Sequence, residues 1–171
     1  PHATVTLLSG AGGTGKTLLT LQLAIAATLG SDLLGRAVRR GPAIVVTAED
    51  DRDELHRRVA AIAEADGIDI AGLDDLHLVP LTEAPATHLA IEGEGGIAWT
   101  STWAELAAHV RRIGPTVLVL DPVAELFGGK EIDRGQVASF LSGLRRLAIE
   151  IGTAVVLVTH PSVAGAAEGS G

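Results

Sequence analysis

Short apolar runs alternate with amphipathic stretches along most of the chain. Runs rich in Val, Ile and Leu predict strands over 4–8, 43–47, 76–79, 116–121 and 153–159. Helical patterns of apolar residues cover 18–29, 51–65, 102–113 and 136–149. This alternation indicates the α/β class, with a twisted, mainly parallel sheet flanked by helices on both faces. We expect a single domain over residues 1–171.

Several local patterns predict finer detail. The helix after the second strand contains two acidic–basic pairs at the spacing that favours ion pairs: Asp53–Arg57 and Glu54–Arg58. Thr102 and Glu105 fit a capping box, so we expect a helix to begin there. Pro and Gly interrupt segment 81–101, which predicts a hairpin or long loop held down by Trp99. We expect segment 122–135 to be irregular.

A glycine-rich turn separates the first predicted strand from the first predicted helix. It fits the phosphate-binding pattern G-x-x-x-x-G-K-[ST], and its residues are Gly10, Ala11, Gly12, Gly13, Thr14, Gly15, Lys16 and Thr17. Glycine allows successive backbone N–H groups to point at a phosphate, and the start of the helix adds further unpaired N–H groups. We expect Lys16 to reach the β- and γ-phosphates and Thr17 to ligate Mg²⁺.

The alternative for this turn is an accidental match. Its position between a strand and a helix argues against accident, because that is the context in which such loops bind phosphate. Lysine is also rare in this chain, where Lys130 is the only one besides Lys16. The sequence therefore predicts nucleotide binding.

Composition narrows the classes of function. The absence of cysteine excludes disulfides, thiolate metal sites and cysteine nucleophiles. A net charge of −8 disfavours nucleic-acid binding by the surface as a whole, so DNA contact requires local loops or an assembled channel. The sequence shows no signal peptide and no membrane-spanning run, and we expect a cytoplasmic protein without a membrane partner. Because the chain begins at Pro1 and contains no Met, we expect it to be a fragment.

Three further predicted strands end in polar side chains: Glu49, Asp121 and His160. In open parallel sheets, ligands bind at the carboxyl ends of strands, so these side chains face the same edge as the glycine-rich turn. Asp121 follows a run of apolar residues and is expected to hold Mg²⁺, acting through water. The alternative is an aspartate that caps a turn, and Asp133 is a weaker substitute for the metal role.

Glu49 is the best candidate for orienting and polarising the attacking water, since it ends a strand of the type that lies beside the metal-binding one. The alternative is a solvated acidic turn, in which Asp50 and Asp51 cap the following helix. His160 is placed to sense the γ-phosphate by hydrogen bonding, although a lone histidine is often structural.

Four segments together resemble the RecA-like ATPases, and among them the RepA-type hexameric replicative helicase group. They are 10–17, 45–51, 117–122 and 155–161. The resemblance implies that the strands at 43–47 and 116–121 are neighbours and that the last strand lies between the 116–121 strand and the first strand.

The same resemblance implies ATP hydrolysis with Mg²⁺. Lys16 and Thr17 then contact phosphate and metal, Asp121 assists the metal, Glu49 activates water, and His160 couples the γ-phosphate to the adjoining loop. Family members work as rings in DNA replication, with ATP between subunits and an arginine finger from the neighbour. We therefore expect a homo-oligomeric, hexameric ring that binds single-stranded DNA, and slow turnover by this fragment alone. The segment from Ser162 corresponds to a DNA-facing loop but carries no positive charge.

Two other functions remain open. A nucleotide-dependent regulator or switch would use the same loop for binding rather than turnover, and the negative net charge agrees with it. A small-molecule kinase usually needs an arginine-rich lid, whereas the stretch after Asp121 offers only Lys130 and Arg134. These two basic residues are also alternative contacts for nucleic acid.

Overall fold

The computed structural model describes residues 3–160, in which strands and helices alternate. The strands are β1 (Thr4–Ser9), β2 (Asp32–Leu33), β3 (Arg36–Ala37), β4 (Ala43–Thr47), β5 (Leu76–Pro80), β6 (Ala90–Gly93), β7 (Gly96–Trp99), β8 (Val117–Asp121), β9 (Phe127–Gly128) and β10 (Ala154–Thr159). The α-helices are α1 (Lys16–Leu29), α2 (Arg52–Asp66), α3 (Ser101–Ile113), α4 (Val123–Leu126) and α5 (Arg134–Ile151). A short 3₁₀ helix covers Ile70–Gly72.

Five parallel strands form the central sheet in the order β1-β10-β8-β4-β5. Strand β4 pairs with β8 from Ala43 opposite Val117 to Thr47 opposite Asp121. Strand β10 lies between β8 and β1, and its last residue Thr159 is opposite Ser9. Both expected neighbour relations are confirmed. All five strands run in the same direction, so their carboxyl ends meet at one edge of the sheet.

Helices cover both faces of this sheet because alternate strand residues point to opposite sides. On one face, residues such as Leu118 and Leu157 join a core formed with α3 and α5. On the other face, residues such as Val119 and Val158 join a core formed with α1 and α2. Full burial of one such aliphatic side chain contributes about 1.5–3 kcal/mol. The α/β class with helices on both faces is confirmed.

A second, three-stranded sheet packs over α5. The hairpin of β6 and β7 is antiparallel, and β9 adds to it in parallel. The expected hairpin within 81–101 is therefore confirmed, whereas segment 122–135 is more regular than expected because it contains α4 and β9. Trp99 anchors the hairpin: its ring lies 4.3 Å from that of Trp103 and 5.6 Å from that of Phe140. A Cβ on Gly143 of α5 would collide with the Trp99 ring.

Two local predictions prove wrong in part. In α2, Glu54 pairs with Arg58 as expected, but Arg57 pairs with Glu54 at 2.6 Å rather than with Asp53, because Glu54 lies within reach of both arginines. In α3, the N-cap is Thr100, whose Oγ1 accepts a hydrogen bond from the Trp103 N–H at 3.2 Å.

The Thr102–Glu105 capping box is thus wrong. Thr102 already lies in the first turn of α3, and its hydroxyl donates to the Ala86 carbonyl at 3.1 Å instead of capping.

Candidate nucleotide-binding site

The glycine-rich turn connects β1 to α1 at the carboxyl edge of the sheet. Gly13 and Gly15 have φ values of 73° and 83°, in the left-handed region that side chains with a Cβ avoid. The Thr14 hydroxyl donates to the Ala11 carbonyl at 2.8 Å and so holds the turn closed from within. Residues 11–15 are exposed, and α1 begins at Lys16 with its first N–H groups directed toward the turn. The exposed turn and the N–H groups at the start of α1 together suit the binding of an anion.

Lys16 lies inside this turn and is only 8% exposed. Its Nζ donates to the Gly10 carbonyl at 2.7 Å and to the Ala11 carbonyl at 2.8 Å. The third contact of Nζ is His160 Nδ1 at 3.3 Å. Because an ammonium group can only donate, Nδ1 accepts this bond when the imidazole carries its proton on Nε2. Two residues that are 144 positions apart in sequence are thereby brought together.

Asp121 ends β8 and is 3% exposed. Its Oδ2 is buried and has no hydrogen-bond partner among residues 3–160. Burial raises the pKa of Asp121, while a hydrogen bond with Thr17 and the nearby Lys16 act in the opposite direction. The structure therefore places Asp121 beside Thr17 and near Lys16, as the strand-end argument expected.

A further acidic residue, Asp50, belongs to this cluster and was not singled out from the sequence. Its Oδ1 accepts a hydrogen bond from Arg58 Nη2 at 3.1 Å. Burial raises the pKa of Asp50 and Arg58 lowers it, and the charge of Asp50 in turn raises the pKa of Asp121. The helix cap expected from this pair of aspartates is Asp51, whose Oδ1 accepts from the Glu54 N–H at 2.8 Å. Because Asp51 provides the cap, the Asp50 side chain is available to the cluster around Asp121.

Glu49 lies at the same edge, but its side chain points into solvent. It is exposed, and its backbone N–H donates to Thr47 Oγ1 at 3.3 Å. The preceding Ala48 N–H donates to the Asp121 carbonyl at 3.1 Å, which extends the pairing of β4 with β8 by one residue. The main chain thus fixes the position of Glu49 relative to Asp121. Their side chains make no contact with each other.

These residues fit a magnesium ion bound together with phosphate. A buried carboxylate oxygen without a partner and an adjacent hydroxyl are the oxygen donors that Mg²⁺ prefers, and Mg²⁺ usually takes few protein ligands beside phosphate and water. Residues 3–160 contain no group of three or more His, Asp or Glu side chains that could hold a metal by themselves. Asp121 and Thr17 would hold the ion, and the exposed turn would hold the phosphates.

Arg58, which lies eight residues after Asp50 in α2, is the signal that could have identified Asp50. The two residues are two helical turns apart along the chain, so an arginine on the inner side of α2 can reach back to the strand end. The i,i+4 spacing within the helix points from Arg58 only to Glu54. The remaining expected site residues, Lys16, Thr17, Asp121 and His160, all lie at the carboxyl edge.

Comparison with known proteins agrees with this geometry. The family model described as AAA domain matches residues 1–166, which is nearly the whole chain. No helix within the described part of the chain is long and apolar enough to cross a membrane. The five-stranded parallel sheet with helices on both faces is consistent with a RecA-like P-loop NTPase fold. The chain belongs to the AAA domain family and is a nucleotide-binding P-loop ATPase domain.

Proposed function

We propose that this domain is the ATP-hydrolysing motor of a DNA-associated ring ATPase of the replicative-helicase type. The observation that carries the proposal is the contact between Lys16 Nζ and His160 Nδ1 at 3.3 Å. It connects the phosphate-binding turn to the residue that directly follows β10. A purely binding domain needs the turn and the metal carboxylate, whereas a motor also needs an element that passes the state of the γ-phosphate onward.

Each residue then has a distinct task. The turn 10–15 and Lys16 bind and orient the β- and γ-phosphates of ATP. Thr17 and Asp121 hold Mg²⁺, which when bound neutralises charge that develops on the phosphate oxygens. Glu49 orients and polarises the attacking water, and His160 donates its Nε2–H toward the γ-phosphate or the following segment.

Glu49 suits the base better than its neighbour Asp50 does. The carboxylate of Asp50 is already engaged by Arg58 at 3.1 Å, which favours its ionised form but occupies an oxygen. Glu49 is exposed and unengaged within the described residues. An exposed carboxylate at this edge can meet a water that approaches from outside the sheet. We assign Asp50 a positioning role through its charge near Asp121.

A hexameric ring and an arginine finger from a neighbouring subunit belong to the same proposal. Arg58 reaches the Lys16–Asp121 cluster through Asp50, with which it pairs at 3.1 Å. The expected DNA-facing segment from Ser162 lies outside the described residues. We place single-stranded DNA there because it directly follows His160.

The decisive experiment measures ATP turnover by the protein with and without single-stranded DNA. Stimulation by DNA that is lost in Lys16→Ala supports the motor, and Arg36→Ala serves as a matched control because Arg36 is exposed on the β2–β3 hairpin, away from the site. Turnover that ignores DNA but needs a small acceptor would favour a kinase. Tight ATP binding with negligible turnover under all conditions would favour a nucleotide-dependent regulator.

A second pair of variants tests the assignment of the base. Glu49→Gln should bind ATP but hydrolyse it at least about a hundredfold more slowly, the scale expected when a general base is lost. Asp50→Asn should retain more turnover because its partner Arg58 remains. The assignment is wrong if Glu49→Gln keeps full turnover, and it passes to Asp50 if only Asp50→Asn is inactive.

A further inference from the structure

We propose that a groove between the β6–β7 hairpin and α5 binds the phosphate group of a nucleotide-sized ligand, separately from the glycine-rich turn. The groove encloses about 380 Å³. Ile97 and Trp99 line it from the hairpin, and Ser139, Ser142 and Arg146 line it from α5. This inference does not depend on the proposed motor function.

The three polar residues share one face of α5. Ser139, Ser142 and Arg146 are three and four residues apart, which places them above one another on the helix surface. None of their side chains has a hydrogen bond or ion pair with another residue in the described range. By contrast, Arg111 at the neighbouring surface is paired with Glu150 at 2.7 Å. An unpaired guanidinium beside two free hydroxyls is a donor set for a tetrahedral oxyanion.

The hairpin adds an open backbone surface to the same groove. Gly95 and Gly96 line it at the β6–β7 turn, and φ at Gly95 is 78°. A Cβ placed on either glycine would meet no atom within 4 Å, so the space in front of the turn is open. Bare backbone of this kind lets a ligand approach the chain closely and receive main-chain N–H groups.

The groove is larger than a free phosphate ion requires. Ile97 and Trp99 supply the large apolar side chains of the lining, which suit a sugar or base attached to the phosphate. The Trp99 ring lies 4.3 Å from the Trp103 ring and 5.6 Å from the Phe140 ring, so aromatic neighbours already occupy part of its surface. We therefore expect a ligand to contact only the part of Trp99 that lines the groove.

Local charge favours an anion even though the chain as a whole is negative. Arg145 lies beside Arg146, and neither has an ion pair within residues 3–160. Glu92, on the hairpin, is neutralised by Lys130 at 2.7 Å. Glu94 at the turn does not line the groove. Among the described residues that line the groove, Arg146 is the only charged one.

Two sources could supply such a phosphate: a free nucleotide, or one nucleotide unit of a single strand. The sequence contains two tryptophans, Trp99 and Trp103, and both lie at or next to the groove, so their fluorescence reports on it directly. The test titrates a Lys16→Ala background, in which the glycine-rich turn is disabled. The probes are thymidine monophosphate, inorganic phosphate and an oligothymidylate.

We expect thymidine monophosphate to change the tryptophan fluorescence saturably and Arg146→Gln to weaken this binding at least about tenfold, as befits a charge-assisted contact. Ser142→Ala should weaken it less, and Arg145→Gln is the matched control because Arg145 does not line the groove. Tighter binding of the oligothymidylate than of the monophosphate identifies a single strand as the source, and the reverse order identifies a free nucleotide.

Three results would overturn the proposal. They are a fluorescence that does not respond to the nucleotide, an Arg146→Gln variant that binds as the parent does, and equal binding of inorganic phosphate and nucleotide. Because Arg146 is exposed and unpaired in residues 3–160, its replacement should leave the fold intact, which circular dichroism can check.

Discussion

Replacing the buried carboxylate of Asp121 by an amide should make the protein more stable and less able to use magnesium. Asp121 is 3% exposed, its Oδ2 has no partner within the described chain, and burial raises its pKa. Asp121→Asn removes this charge at almost constant volume. We therefore expect this carboxylate to support magnesium binding while lowering the stability of the folded protein.

The magnitude follows from the unpaired oxygen. An unsatisfied buried polar group costs about 1–3 kcal/mol, and the amide retains part of that cost because it is still polar. We expect a net gain of about 1 kcal/mol in the free energy of unfolding. For a domain of this length, that corresponds to a rise in Tm of about 2–4 °C.

The pH dependence has a definite sign. Because the pKa of Asp121 is raised above 3.8 in the folded protein, folding takes up a proton between 3.8 and the raised pKa. Wild-type stability therefore falls as pH rises through that window, and Asp121→Asn lacks this loss. The advantage of the variant should be complete above the raised pKa and disappear below 3.8.

The assay is thermal unfolding in EDTA and again with saturating Mg²⁺ and ATP. In EDTA the variant should melt higher than wild type, and Asp74→Asn, an exposed control, should not differ. With Mg²⁺ and ATP at about a hundred times Kd, wild type should gain about 2.7 kcal/mol, and the variant should gain much less. A variant that melts below wild type in EDTA, or that gains as much from Mg²⁺ and ATP, would refute the reasoning.

Two further predictions concern packing and a histidine. Gly143→Ala should lower stability by about 1–3 kcal/mol and shift the tryptophan fluorescence, because its Cβ collides with Trp99, whereas Gly72→Ala, which faces open space, should do neither. Burial, Arg112 and His77 lower the pKa of His109 below 6.5, so stability should decline as pH falls below 6.5 in urea titrations. His109→Gln should flatten that decline, and a decline unchanged in the variant would assign it to other groups.

The five strands of the central sheet were predictable because each is a short, largely apolar run with a distinct boundary. Val117–Asp121 is buried at every position, and the sequence shows it as uninterrupted aliphatic residues before a carboxylate. The family resemblance also predicted the order of β4, β8 and β10 in the sheet. The roles of the site residues remain predictions, although Lys16 and His160 do meet.

The features that escaped prediction depend on contacts distant in sequence or on a choice between like residues. Strand β9 is two residues long and exists because it pairs with β6, which no local pattern reveals. Thr100 and Thr102 are both suitable caps, and only the end of β7 decides between them. Asp50 lies in the site because Asp51, not Asp50, caps α2 and because Arg58 is close enough to bond to Asp50.

The bond from the Ala48 N–H to the Asp121 carbonyl has a consequence for how such a site can change. It continues the pairing of two neighbouring strands past the sheet, so the spacing between the two acidic strand ends is inherited from the main chain, about 4.8 Å from strand to strand. Side chains at Glu49 and Asp50 can then be exchanged without altering that spacing. Strand pairing therefore sets the distances at this edge, and a substitution there changes the chemistry of the side chains without changing the spacing of the strands.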